Sequence, residues 1–141
     1  MADAAPIDGW ERYVVGMRIG WAFAIGVDDM TAFRRLSGDQ NPLHTNPEFA
    51  RSKGFNAPVV YGLLLASQIS RLVGQELPDS HAMLVGLAMN FASPAFVGNE
   101  LGFDAELVTR SDATYSLSFK CRVTRADMIL ARGTADAVWR P

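Results

Sequence analysis

Among 141 residues the chain has one cysteine and two histidines, and neither sign of charge dominates. A lone Cys121 excludes an internal disulfide and fits a reducing compartment. Two histidines and one cysteine without ligand spacing offer no metal site. Long apolar runs are missing as well. The longest, residues 59–66 and 82–89, fall far short of the roughly 20 residues a membrane-spanning helix needs, so no membrane insertion is expected. Thirteen Lys and Arg stand against fifteen Asp and Glu, for a net charge of −2 and a pI of about 5.6. Basic residues come in ones and twos (Arg34-Arg35, Arg51 with Lys53, Arg110) and read as solvated surface, which excludes a general nucleic-acid face. Residues 1–6 carry an Asp and no Lys or Arg, so no secretory signal is read there and the cytoplasm is the expected compartment. Without repeats, low-complexity tracts or linkers, 1–141 is expected to be one domain.

What is present is apolar patterning. The chain is 49% hydrophobic, and at this length about 68–70% of the unfolded surface is buried, enough for a proper core. Trp21, Phe23 and Ile25 alternate with small residues and predict a short strand. Asp28 or Asp29 then serves the cap and first turn of a helix holding Met30, Phe33 and Leu36 at helical spacing. Asn46-Pro47 predicts another helix start, running to about Lys53. From about Val60 to Leu77 the pattern is helical and apolar almost all round, with Gln68, Arg71 and Gln75 as a narrow polar stripe. Such a helix belongs at the centre of a domain. Tyr115, Leu117, Phe119, Cys121 and Val123 alternate strictly with polar residues, a half-buried strand. Leu101, Phe103, Ala105 and Leu107 form a similar face upstream, and Ile129, Ala131, Gly133, Ala135, Ala137 and Trp139 another downstream. Short polar connections make these strands antiparallel neighbours. A further strand covers 83–91 and ends near Pro94. The expected architecture is α+β, an antiparallel sheet wrapped around one buried helix. Met30, Met83, Met89 and Met128 read as core filler, and His81 as surface.

One segment stands apart: Ser37-Gly38-Asp39-Gln40-Asn41-Pro42-Leu43-His44. On a continuous helix Asp39 and His44 would point about 140° apart, since each residue turns about 100°. Asn41 precedes Pro42 and is pushed out of the α region, while Pro42 has a fixed φ and no N–H. The backbone must bend, and a bend can turn a carboxylate and an imidazole toward one substrate.

These residues resemble the MaoC-like, (R)-specific enoyl-CoA hydratase family, which has the hot-dog fold. The resemblance rests on the segment just described, on Ala57-Pro58-Val59-Val60-Tyr61-Gly62-Leu63-Leu64 opening the apolar helix, and on Phe91-x-x-Pro94-x-Phe96-Val97-Gly98-Asn99-Glu100-Leu101. It implies addition of water to a trans-2-enoyl thioester to give an (R)-3-hydroxyacyl thioester, or the reverse dehydration. Asp39 would be the base for the water attacking C3, and His44 would manage the proton reaching C2. Gly62, at the start of the apolar helix, would receive the thioester oxyanion on its N–H. Asn41, Tyr61 and Ser70 would contact substrate: Asn41 through its amide, Tyr61 at the pocket border, Ser70 along an acyl tunnel. No cofactor is implied beyond the CoA or carrier-protein thioester of the substrate itself. The resemblance also implies a homodimer with sheets joined edge to edge. Two departures stand out, since the family commonly has His where Tyr61 stands and Asp where Asn99 stands.

Plainer readings compete residue by residue. Asp39 suits an ordinary turn, Gly62 suits close helix packing, and Ser70 suits a small core position. A hot-dog thioesterase, or a carrier-protein dehydratase of the other hot-dog type, would place an acid on the central helix. Here no Asp or Glu occurs from Pro58 until Glu76. The alternative from another class is a non-catalytic acyl-thioester-binding or partner subunit of a dehydratase, with Tyr61 blocking the pocket.

Overall fold

A computed structural model describes residues 9–141; the leader reading of residues 1–6 lies outside them. Five antiparallel strands form one sheet in the order β1-β3-β4-β5-β2. They are β1 (Arg18–Phe23), β2 (Ala82–Phe91), β3 (Leu101–Ser111), β4 (Ser116–Arg125) and β5 (Met128–Trp139). Strands β3, β4 and β5 follow one another in sequence and in space, as their short polar connections require. Strands β1 and β2 are the two open edges.

The alternation in β4 sends Leu117, Phe119, Cys121 and Val123 inward. Leu101, Phe103, Ala105 and Leu107 of β3 meet the same core. Strand β5 departs from strict alternation. The register slips between Val123 and Thr124, and Leu130 becomes fully buried beside Ala131. The extra residue of a bulge shifts which side chains face inward, so Ile129 is only half-buried.

Three helices lie on the chain: α1 (Val27–Ser37), α2 (Pro47–Ser52) and α3 (Gly62–Arg71), the last continuing as a π-helical turn, Leu72–Glu76. Helix α1 starts at Val27, two residues earlier than a cap at Asp28 would place it. Gly26 is its cap, and Asp29 accepts the Gly26 N–H at 2.8 Å from the third helical position. Met30 is buried, but Leu36 is 85% exposed because the last turn of α1 runs off the core. Asn46 caps α2 as expected, accepting from the N–H groups of Glu48 and Phe49.

Helix α3 presents Leu65, Ala66 and Ile69 to the sheet. It is not enclosed on all sides, for Leu63 is 63% exposed. The sheet covers one face of the helix only, so an all-apolar circumference leaves one face open. The methionines divide in the same way: Met30 is buried, Met89 half-buried, and Met83 and Met128 are exposed.

At one place in the core, Trp10, Tyr13, Tyr115 and Trp139 pack ring against ring, with centroids 5.1 to 5.8 Å apart. Asp79 is the polar centre of this cluster. It accepts from Tyr13 Oη at 2.9 Å, Trp139 Nε1 at 3.0 Å and the His81 N–H at 2.9 Å.

Candidate active site

The bend forced by Asn41-Pro42 is present. Helix α1 ends at Gly38, whose φ of 76° is the left-handed conformation a glycine takes without cost. Asn41 sits outside the α region at φ −56°, ψ 125°, and residues Pro42–His44 make a single 3-10 turn. Two short hydrogen bonds stiffen the loop: the Asn41 N–H donates to Asp39 Oδ1 at 3.0 Å, and the Leu43 N–H donates to Asn41 Oδ1 at 2.9 Å. The Asn41 amide oxygen is therefore occupied by the loop's own backbone.

His44 is half-buried, and its Nδ1 lies 2.6 Å from the carbonyl oxygen of Val59. A carbonyl can only accept, so Nδ1 carries the hydrogen. In the neutral ring Nε2 then holds the lone pair. Val59 also donates its N–H to Leu43 O at 3.0 Å, so the loop and the segment entering α3 hold each other in register.

A cavity of about 370 Å³ opens beside this loop, lined by His44, Gly62, Leu65, Phe91, Pro94 and Ala95 among others. His44 and Gly62 are thus brought to one space. Asp39 is exposed on the loop that leads to His44 and is not among the lining residues. Gly62 opens α3, and its cap residue Tyr61 supplies no side-chain acceptor. The first amides of a helix lack intrahelical partners, so Gly62 N–H is available to a ligand. A side chain at Gly62 would have its Cβ 3.0 to 3.2 Å from the Phe91 ring, which gives the glycine a steric reason as well.

Neither Tyr61 nor Ser70 lines this cavity. Tyr61 is 2% exposed and does not line the cavity. Its ring stacks on His44 with centroids 4.0 Å apart, and its hydroxyl donates to the Asp39 carbonyl oxygen at 2.7 Å. The longer reach of a phenol carries the polar atom past the cavity wall to the loop. Ser70 is exposed on α3 and lines nothing here. Asn99 accepts from the Phe96 N–H and from Arg125 Nη1, which makes it a turn residue.

Phe91 is a site residue that the sequence does not mark. As the last residue of an alternating strand it reads as fold, and only the contact with Gly62 shows that it roofs the cavity. A larger hollow of about 540 Å³ lies over the outer face of the sheet, among Arg18, Asp104, Glu106, Lys120 and Arg122. Size favours it, but it shares no residue with the Asp39–His44 loop, so the smaller cavity is the candidate. Cys121 is buried, and burial, with the Asp104 charge adding to it, pushes its thiol up to about 12. It is no nucleophile. Among the described residues, no three His, Cys, Asp or Glu side chains gather to hold a metal, and no helix is long and apolar enough to cross a membrane.

Residues 15–127 match the MaoC like domain. Over 93 residues the chain is 40% identical to an (R)-specific enoyl-CoA hydratase of Aeromonas caviae, covering 66% of this chain and 69% of that protein. It is 31% identical over 115 residues to a mitochondrial 3-hydroxyacyl-[acyl-carrier-protein] dehydratase of Arabidopsis thaliana, covering 79% of this chain and 68% of the relative. The solved (R)-hydratase from A. caviae, described as involved in PHA biosynthesis, superposes with a TM-score of 0.85 at 31% identity, over 91% of this chain and 98% of that one. The wrapped five-stranded sheet is therefore the hot-dog fold, and the chain belongs to the MaoC-like family.

Proposed function

We propose that the protein hydrates trans-2-enoyl thioesters to (R)-3-hydroxyacyl thioesters, or runs the reverse dehydration. The observation that carries this reading is the convergence of His44 and the Gly62 amide on one cavity, with Asp39 on the same stiffened loop. Its relatives are named as hydratases and dehydratases, enzymes of the lyase class.

In the proposed reaction, Asp39 takes a proton from the water whose oxygen bonds to C3. Electron density moves through C2 to the thioester oxygen, where Gly62 N–H receives it. A backbone donor of this kind is worth roughly 10²–10³ in kcat. His44, its tautomer fixed by Val59, shares the water through Nε2 and relays to C2 the proton that Asp39 took, which returns Asp39 to the carboxylate. The hydroxyl ends on C3 and the proton on C2, so nothing is consumed besides water.

The partner-subunit alternative requires Tyr61 to plug the pocket. Tyr61 lies behind the loop, outside the lining residues, which favours the enzyme.

The assembly belongs to the same proposal. Strand β2 is an open edge, with Met83, Val85 and Leu87 exposed along it, and Leu63 is exposed on α3. An apolar open edge calls for cover, and a second copy joined there would supply it.

Crotonyl-CoA hydration, followed as loss of enoyl absorbance, tests the chemistry, and light scattering of the same sample tests the dimer. Turnover by a dimer is the expected result. No turnover on any enoyl thioester of short or medium length would contradict the enzymatic reading.

A further inference from the structure

We propose that Tyr61 is a positioning residue that ties the Asp39 end of the loop to the His44 end and so sets how the two groups meet the reacting water. This rests on the reading of Asp39 and His44 as the reacting pair.

Three contacts carry it. The Tyr61 hydroxyl donates to the Asp39 carbonyl oxygen at 2.7 Å, one bond path from the carboxylate-bearing Cα. Its ring stacks on the His44 imidazole at 4.0 Å, the two planes 28° apart. On the α1 side Phe33 packs against the same ring at 4.8 Å. The phenol is thereby held between helix α1, which delivers Asp39, and the imidazole five residues further on. It is also the cap residue of α3, directly before Gly62. One side chain thus touches both ends of the acid–base loop from the position adjoining the oxyanion donor.

The protonation chemistry agrees. Burial, and after it the negative charge of Asp39, pushes the Tyr61 phenol above its ordinary value. It stays an O–H donor throughout the neutral range, and its partner, a carbonyl oxygen, can only accept. The tie is therefore insensitive to pH across that range. A residue needed only to fill space would have been served by Phe, without a buried hydroxyl aimed at the loop.

Tyr61→Phe keeps the ring on His44 and removes the tie alone. We expect kcat for crotonyl-CoA to fall about tenfold, the scale of one lost hydrogen bond, with KM within about twofold and the melting temperature nearly unchanged. Tyr61→Leu removes stack and tie together and is expected to lower kcat further and displace a limb of the pH–rate profile. Ile69→Val, buried on the same helix, controls for stability. It should lower the melting temperature without moving the profile.

An activity-free arm accompanies these. The His44 Cε1 proton should resonate upfield in the wild type and in Tyr61→Phe, through the ring current of the stacked residue 61, and return in Tyr61→Leu toward the position of a histidine in a short unstructured peptide. Wild-type kcat in Tyr61→Phe, a loss confined to KM, or an equal kcat loss in Ile69→Val would each overturn the proposal. A wild type inactive on every enoyl thioester, yet with the shifted His44 proton, would sink the reaction and leave the contact standing. An unshifted proton would sink the contact itself.

Discussion

Asp79 and Asp39 hold the same functional group in two regions built on opposite lines. Asp79 lies in the aromatic cluster with its side chain 8% exposed, and its oxygens accept from Tyr13, Trp139 and the His81 backbone. Burial alone would raise its pKa, but the hydrogen bonds from His81 N–H, Trp139 and Tyr13 outweigh that and hold the carboxyl below its ordinary value. Asp39 lies on an exposed loop and accepts from the Asn41 N–H at 3.0 Å. The contrast separates two uses of an aspartate. With its lone pairs committed to buried donors it fastens three segments of chain. With lone pairs in reserve on an exposed, stiffened loop that leads to the cavity-lining His44, it suits the base proposed above.

Substitutions should pull these roles apart. His44→Ala carries the largest expected effect, a fall in kcat of roughly 10²–10⁴, with a small change in stability because the ring is only half-buried. Steady-state kinetics beside a thermal melt checks both. Asp79→Ala should do the reverse. Stranding the Tyr13 and Trp139 donors is expected to cost about 2–4 kcal/mol of stability, measured by urea unfolding, while the folded fraction keeps its wild-type kcat. If Asp79→Ala lost activity in the folded fraction, the two regions would not be independent.

A smaller effect comes from pH. Because Asp79 is depressed in the folded state, its contribution is fully present above the unfolded carboxylate value near about 4 and is lost as pH falls through the lower folded value. The stability gap between wild type and Asp79→Asn should therefore be constant at neutral pH and close on acidification. A gap that widens in acid would contradict the assignment.

What was legible in the sequence depended on range. The alternation of β4, the Asn46 cap and the break at Asn41-Pro42 are dictated by neighbours within a few residues, and all three stand in the structure. The Asp79 cluster joins residues 60 and 66 positions apart. In sequence Pro78-Asp79-Ser80 is only a turn. Leu130 is buried through a slip in pairing that no residue type announces. Leu36 and Leu63 are apolar at helical spacing yet exposed, since periodicity gives a face and not what lies opposite it. Within the site, His44 and Gly62 could be picked out by motif. The direction of the Tyr61 hydroxyl could not, because it depends on how far α3 sits from the loop. Ser70 is a matter of range as well: it is exposed on α3, and what lies opposite that position is not set by its neighbours in sequence.

The central claim, that Asp39 is the base and not merely a turn residue, is tested most directly by Asp39→Asn. The change keeps an oxygen for the Asn41 N–H and removes only the charge and basicity. Crotonyl-CoA hydration should fall roughly 10²–10⁴-fold with the melting temperature of the wild type retained. Equal hydration rates in the two proteins would contradict the account.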